Sequence, residues 1–495
     1  MRLWILVVAG MFLAVPGGAW AAPLSNDTRA CIGCHQEVTP GIVADWRASR
    51  HARVTPAQAL EQAPLARRFS ASEPPAGTAA NAVGCAECHT RNPDAHPDSF
   101  DHNGYRVHIV VSPADCAGCH PQERDEFAQN LMGNAHGNLV ENALYRQLIE
   151  SVNGVQTLEG GRLVAHAPDD LTNADSCLAC HGTRVEVRGT AARDTAMGEM
   201  DFPVLSGWPN QGVGRINPDG SAGACTACHT RHQFSIEVAR KPYTCSQCHK
   251  GPDVPAYPVY MVSKHGNIYD SLEAKWDFDA VPWDAGKHFT APTCATCHVS
   301  LVTHGSEVIA RRTHRMNDRL PLRLFGLVYA HPHPISADTT GIRNRAGLPL
   351  STELTGEPVE AFLIGAEEQR TRREAMMAVC GACHSRQWAE GHFARLERAV
   401  ETTNAMTLSA TRLLLSAWEK GLAQGPAQGA SPFDEAVERK WLRQWLFYAN
   451  SIRFASAMGG ADYGVFANGR FYLAENLREM ADWLEFLEHS AQPRP

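Results

Sequence analysis

The stretch "CTACHTRHQFSIEVARKPYTCSQCH", residues 225–249, holds two copies of one pentapeptide. In each, two cysteines three residues apart are followed at once by a histidine. The same C-x-x-C-H pattern recurs on both sides of this stretch. Along the chain it gives Cys31/Cys34/His35, Cys85/Cys88/His89, Cys116/Cys119/His120, Cys177/Cys180/His181, Cys225/Cys228/His229, Cys245/Cys248/His249, Cys294/Cys297/His298 and Cys380/Cys383/His384. These eight motifs use all 16 cysteines.

C-x-x-C-H is the attachment signature of c-type haem. Two thiols at this spacing reach the two vinyl groups on one edge of a porphyrin, and the adjoining histidine ligates the iron from one face. A single copy would also suit half a zinc site or a dithiol redox pair. Eight copies that leave no cysteine over favour haem, so the sequence predicts eight covalently bound haem c groups. The motif starts are 20 to 86 residues apart, so this is no array of equal modules. The expected fold is mainly α: helices and long loops around a haem stack, with little sheet.

Of 23 histidines, eight are motif residues and fifteen remain, enough for a second histidine at every iron. A haem with two histidines carries electrons, whereas one with an open face can bind a small molecule. The best candidates for second ligands are His51, His136 and His265, each followed by a small residue. His232 lies three residues after His229 and His304 six after His298. His331 and His333 are held by the prolines of "AHPHP".

The formal net charge is −8, which disfavours nucleic acid and suits a basic protein partner. Arg2, an apolar run from Leu3 to Val15 and Ala19-Trp20-Ala21 read as an export leader over residues 1–21. A soluble, periplasmic mature chain without a transmembrane anchor is therefore expected. Residues 22–385 form the haem-bearing part. Residues 386–495 lack cysteine and read as a helical bundle for oligomer contacts, interrupted by "GLAQGPAQGASP" (421–432). Trp441 and Trp445 share one helix face; Leu473, Leu477, Met480, Leu484 and Leu487 share another. Between these helices lies "MGGADYGVFANGR", residues 458–470, with Tyr463 among small residues.

Four segments carry a more specific resemblance. They are "WPNQGVGRINPDGSAGACTACHTRHQFSIEVARKPYTCSQCHKGPDVPAYPVYMVSKHGNIYDSL" (208–272), "APTCATCHVS" (291–300), "RLFGLVYAHPHP" (323–334) and "GLPLSTELTGE" (347–357). With the number and order of the motifs, they resemble the hydroxylamine oxidoreductase family of octahaem c-type cytochromes. The resemblance implies seven bis-histidine haems and a five-coordinate catalytic haem at the fourth motif, Cys177, Cys180 and His181. It implies a homotrimer in which a tyrosine, here matched to Tyr463, bonds covalently to the neighbouring subunit's catalytic porphyrin. It places a distal tyrosine at Tyr329 and the distal acid/histidine pair at Asn210 and Gln211, with His331 or His102 as a substitute base. The implied reaction is oxidation of hydroxylamine to nitric oxide or nitrite, with electrons passed to a small c-type cytochrome. Uncrosslinked relatives run toward ammonia from nitrite or hydroxylamine, and hydrazine oxidation is a further variant. A pure electron conduit with eight bis-histidine haems is the non-enzymatic alternative.

Overall fold

The computed structural model describes residues 22–195 and 197–491; the expected leader over 1–21 lies outside them. Helices and loops dominate, and strands occur as small sheets of two or three strands. The mainly α, sheet-poor architecture read from the motifs is therefore the one observed.

The first helix, Asn26–Val38, starts at Ser25, whose hydroxyl accepts from Thr28 N at 3.1 Å. It carries the first motif. Other motifs sit on short turns, among them the five-residue helices Cys85–His89, Cys177–His181 and Cys294–His298. A helical turn is what this chemistry needs. It puts residues i and i+3 on one face and sends residue i+4 down the same side. Three antiparallel hairpins project between motifs: β1 (Ser99–His102) with β2 (Tyr105–His108), β3 (Val155–Glu159) with β4 (Arg162–His166), and β5 (Glu186–Thr195) with β6 (Gly198–Ser206).

Beyond the last motif the chain is helical. Arg386–Glu419 runs 34 residues, ~51 Å at ~1.5 Å per residue. Its buried residues Phe393, Leu396, Val400, Thr403, Thr407, Ala410 and Leu414 recur every three or four positions. The 421–432 break turns the chain back into Ala436–Arg443, a π-helical turn Gln444–Ala449, and Asn450–Met458. Arg470–Ala491 closes the bundle. The bundle has a small cluster of its own, Ala449, Ile452 and Leu473, but its main core is shared. Leu414, Trp441, Trp445 and Met480 share it with Leu144, Leu327, Val328 and Leu350 of the motif-bearing part.

Arg453 fastens this junction. It is fully buried and donates to Thr403 Oγ1 (3.1 Å), Asn404 Oδ1 (2.6 Å) and the Leu324 carbonyl (3.2 Å). Nearby, Glu438 accepts from Trp418 Nε1 (2.8 Å) and from the backbone N–H groups of Asp434 (3.1 Å) and Glu435 (3.0 Å). Burial outweighs those bonds and raises its carboxyl to about 7. A carboxyl raised on folding contributes stability that is fully present below its unfolded pKa of ~4.5 and is lost as pH rises through the folded value. Melting temperature is therefore expected to fall between pH ~4.5 and 7, and Glu438→Gln to flatten that fall. Melting curves across this range check it; equal slopes in both proteins would refute it.

Candidate functional site

One cavity of about 4180 Å³ runs through the motif-bearing part. It is several times larger than the ~300–1,000 Å³ that houses a single small ligand. All eight motif histidines, and at least one cysteine of every motif, lie on its wall. No cysteine is paired in a disulfide. The donor set therefore fits covalently held haem throughout.

Fifteen of the sixteen motif cysteines line the cavity, and one does not. Cys34 is exposed and stands off the wall, while its motif partners Cys31 and His35 line it. The reason is helical geometry at an open end. The Asn26–Val38 helix continues past the motif and turns only one side, with Cys31 and His35 at i and i+4, toward the cavity. Cys34 falls beside that side, where nothing covers it. The first motif therefore presents one thiol and one imidazole inward, and its second thiol at the rim. The other motif whose second cysteine is exposed is the eighth, at Cys383, which does reach the wall.

Two imidazoles on opposite sides of one iron have ring centres about 6 Å apart, given ~2 Å from metal to nitrogen and ~1 Å from nitrogen to ring centre. Five pairs meet that spacing: His35 with His102 (6.1 Å), His120 with His51 (6.3 Å), His89 with His232 (6.5 Å), His229 with His314 (6.5 Å) and His384 with His265 (6.1 Å). His108 also stands 5.9 Å from His89, but its ring is stacked on His96 at 3.7 Å. His136 and His331 are buried and donate from Nδ1 to a backbone carbonyl, Gly182 O (2.6 Å) and Pro332 O (2.6 Å). That bond orients a ligating ring and leaves Nε2 for the metal. His333, two residues on from His331, is the one of the two that reaches the cavity wall.

His304 is placed elsewhere. It is exposed, off the wall, and bonded to Ala285 O at 3.3 Å. The residues facing His35 and His229 are instead His102, at the end of β1, and His314, in a loop that follows the last strand of a small sheet. Sequence spacing favoured histidines close to a motif. His102 and His314 come from hairpin and loop geometry that short spacing does not encode.

The motifs touch one another. Cys116 lies beside Cys225, Cys245 beside Cys294 and Cys180 beside Cys248. Cys31 is also near Cys85, Cys88 near Cys116, Cys228 near Cys245 and Cys297 near Cys380. The order in space is therefore one, two, three, five, six, seven, eight. The exposed thiols Cys34 and Cys383 belong to the two ends of this line. The fourth motif branches off at the sixth.

That branch has a distinctive surround. His181 is fixed by the Ala135 carbonyl at Nδ1 (3.3 Å). Burial keeps its pKa below the usual range, hence neutral and fit to ligate, against the Ala135 bond and the opposing charge of Asp253. Asp253 and Arg323 both act on His181, and both line the cavity with Tyr145. Arg323 lies close to the Tyr145 hydroxyl, and burial raises that phenol, so it stays neutral. Asp253 is in place because the chain turns back four residues after His249, and Asn450 Nδ2 holds its carbonyl at 3.1 Å.

The distal residues implied by resemblance are corrected accordingly. Asn210 is spent on the turn after the fourth motif: its Oδ1 accepts from Thr183 N (3.3 Å) and Gly212 N (2.9 Å), and its Nδ2 donates to Leu178 O (3.1 Å). Gln211 pairs with the hydroxyl of Thr226, inside the fifth motif, at 3.1 Å. Tyr329 is 1% exposed in the shared helical core, bonded to Leu354 O (2.8 Å) and beside Thr411 Oγ1 (3.0 Å). None of the three offers a free group over His181. The carboxylate whose charge acts on His181 is instead Asp253, in "CHKGPDVPAY", with Val254 next to it. Its signal was a lone carboxylate just after a motif, on a Gly-Pro turn that brings it back toward the wall.

Tyr463 lies in the short helix Ala461–Val465, half-buried and off its own chain's cavity wall. Around it Val465, Phe466, Phe471 and Tyr472 are exposed. The preceding glycines do local work. Gly459 ends a helix at φ 75°, and a Cβ on Gly460 would come within 2.7 Å of Val259.

Residues 219–321 match the family model described as "Seven times multi-haem cytochrome CxxCH". A solved structure described as a hypothetical multiheme protein superposes with a TM-score of 0.89 at 40% identity, over 95% of this chain and 97% of that one. A reducing HAO-like protein complex of Kuenenia stuttgartiensis has the same fold, with a TM-score of 0.62 at 20% identity over 94% of this chain and 86% of that one. A probable nitrite reductase-hydroxylamine oxidoreductase fusion protein of Kuenenia stuttgartiensis is 26% identical over 381 residues, 72% of this chain. This chain spans about a third of that protein's length, 34%. The motifs, their common cavity and a solved relative matched almost end to end agree: the chain belongs to the multihaem c-type cytochromes, with a fold shared by an HAO-like protein.

Proposed function

We propose that this is a periplasmic octahaem oxidoreductase acting on hydroxylamine at the fourth motif. Seven haems are bis-histidine carriers, with His331 or His333 completing the seventh beside His298 and His136 a further candidate ligand. The fourth, on Cys177 and Cys180 with His181, is open. The first is held by Cys31 and, at the rim, by Cys34. The observation that carries this reading is that Asp253, Arg323 and Tyr145 gather at the branch motif.

A bound haem there supplies a metal position for a nitrogen ligand and an electron path to the other motifs. The chain's own groups do the rest. Asp253 takes the protons released as hydroxylamine is oxidised to nitric oxide or nitrite, a loss of roughly three or four electrons. Tyr145 and Arg323 orient oxygen by donating hydrogen bonds. The side branch keeps the substrate pocket apart from the line of carriers that hands electrons to a small c-type cytochrome. Tyr463, surrounded by exposed apolar side chains, is presented to a second copy in a homotrimer, where it bonds to that subunit's fourth porphyrin.

A specific observation favours a second reading. A guanidinium beside a neutral phenol suits an anion, so the same pocket accommodates nitrite and reduction toward ammonia. The names of the Kuenenia relatives point the same way. Mass spectrometry of haem peptides separates the two. Eight haems per chain are expected, with one porphyrin joining the Cys177–Cys180 peptide to a Tyr463 peptide. A fourth haem free of tyrosine would overturn the oxidative reading and leave the reductive one. Failure of cyanide to bind any haem would overturn both in favour of the conduit.

A further inference from the structure

The line of motifs is not evenly charged. A ferric haem carries one more positive charge than a ferrous one. A nearby anion therefore favours the oxidised form and a nearby cation the reduced form. From the second motif to the sixth, carboxylates bear on the motif histidines: Asp115 on His89, Glu123 on His120 and His229, and Asp253 on His181 and His249. Glu123 Oε2 stands 3.9 Å from His120 Nδ1, and Glu126 Oε2 stands 3.8 Å from Nδ1 of His314, the ring opposite His229.

The seventh motif differs. The permanently charged side chain that bears on His298 is Arg319, and its charge also reaches Cys297. Arg319 is 5% exposed and lies on the cavity wall. Its Nη1 donates to the carbonyls of Thr296 (3.3 Å) and Cys297 (3.0 Å), inside the motif itself. Its Nη2 donates to those of Ser300 (3.4 Å) and Arg311. Four of the five guanidinium N–H groups are thereby spent on neutral acceptors, so the fork is not free to close on a porphyrin carboxylate that would cancel its charge. Asp318, the adjacent acid, is engaged by Arg315 (3.6 Å) and by Thr313 Oγ1 (2.9 Å). Around His333 the nearby charges are again cationic, Arg323 and Arg372, of which Arg372 is paired with Glu368 at 2.7 Å. Arg215 is a second buried cation, beside Cys225 of the fifth motif, but there Glu123 and Glu126 stand against it.

We propose that Arg319 makes the haem of the seventh motif the highest-potential carrier of the line. A guanidinium stays charged at any working pH, and away from bulk water its field is weakly screened. The proposal asks only that the seventh motif holds haem, so it stands whichever way the fourth site runs. Its consequence is that the two arms beyond the branch are unequal. An electron arriving at the sixth haem passes to the ferric seventh, which is reduced as the sixth is reoxidised. The fifth, with carboxylates about its ligands, fills later.

A redox titration of the holoprotein, followed in the haem absorbance, tests this. Arg319→Gln keeps hydrogen-bond donors and loses the charge. Its highest one-electron step is expected to fall by at least ~10-fold in equilibrium constant, ~59 mV, with haem content unchanged. Arg319→Lys keeps the charge and should hold that step near its wild-type place. A highest step that stays put in Arg319→Gln, or that falls equally in Arg319→Lys, overturns the proposal. Should Arg319→Gln not accumulate, His298→Met decides. A methionine ligand raises a haem's potential, so the wild type's highest step should move upward. If that step stays and a lower one is lost, another haem holds the top of the line and the proposal fails.

Discussion

Asp253→Asn is expected to lower kcat for hydroxylamine oxidation by roughly 10²–10⁴-fold, the usual worth of a positioned general base. At ~1.4 kcal/mol per decade this is about 3–5 kcal/mol of barrier. The substitution keeps shape and hydrogen-bonding capacity but removes the only carboxylate found acting on both His181 and His249. Haem content and cyanide binding at the open iron should stay as in wild type, because neither needs a proton acceptor. A loss smaller than ~10-fold with intact cyanide binding would remove Asp253 from the role of base.

The second large effect concerns the helical junction. Trp445 is fully buried, one helical turn from Trp441 with ring centres 5.7 Å apart, and shares its core with Leu144, Leu327 and Leu350 of the motif-bearing part. Trp445→Ala is expected to cost about 3–5 kcal/mol, a large fraction of the ~5–15 kcal/mol by which folded proteins are stable. Its indole N–H has no partner in the structure, so truncation breaks no hydrogen bond and the loss is one of packing. Chemical denaturation followed by tryptophan and haem absorbance gives the shift in apparent stability. A change under ~1 kcal/mol would mean the helices are not held by this core.

Which parts were legible follows from the range of the signal. The motifs were readable, because thiol and imidazole spacing is local and a helical turn realises it. What spacing could not say is how far the fold covers each turn, and so Cys34 lies open at the end of the line. The C-terminal helices were readable for the same local reason: Leu473, Met480 and Leu484 repeat at helical spacing and are buried. The π-helical turn at Gln444–Ala449 was not, since its cause is tertiary. Gln444 bonds Leu473 O (3.2 Å) and Asn476 Nδ2 (2.7 Å) across the bundle. The site split along the same line. His51, His232 and His265 stand opposite motif histidines, whereas His102 and His314 needed the hairpin and loop that deliver them. Asn210 and Tyr329 were matched by their place in a resembling segment. Their polar atoms turn out to serve the fold, and the free carboxylate is Asp253.

The cavity also bears on how such a chain comes into being. A polypeptide that encloses about 4180 Å³ could not hold that shape by itself. Without porphyrins its largely apolar wall would stand in water, and that loss of burial is large against the margin of a folded domain. Porphyrin insertion and chain collapse are thus one event, much as metal uptake and folding are one event in small zinc domains. The nascent polypeptide must stay extended until its thiols have reacted. A cell that cannot ligate them should therefore accumulate proteolytic fragments rather than a colourless, folded apoprotein.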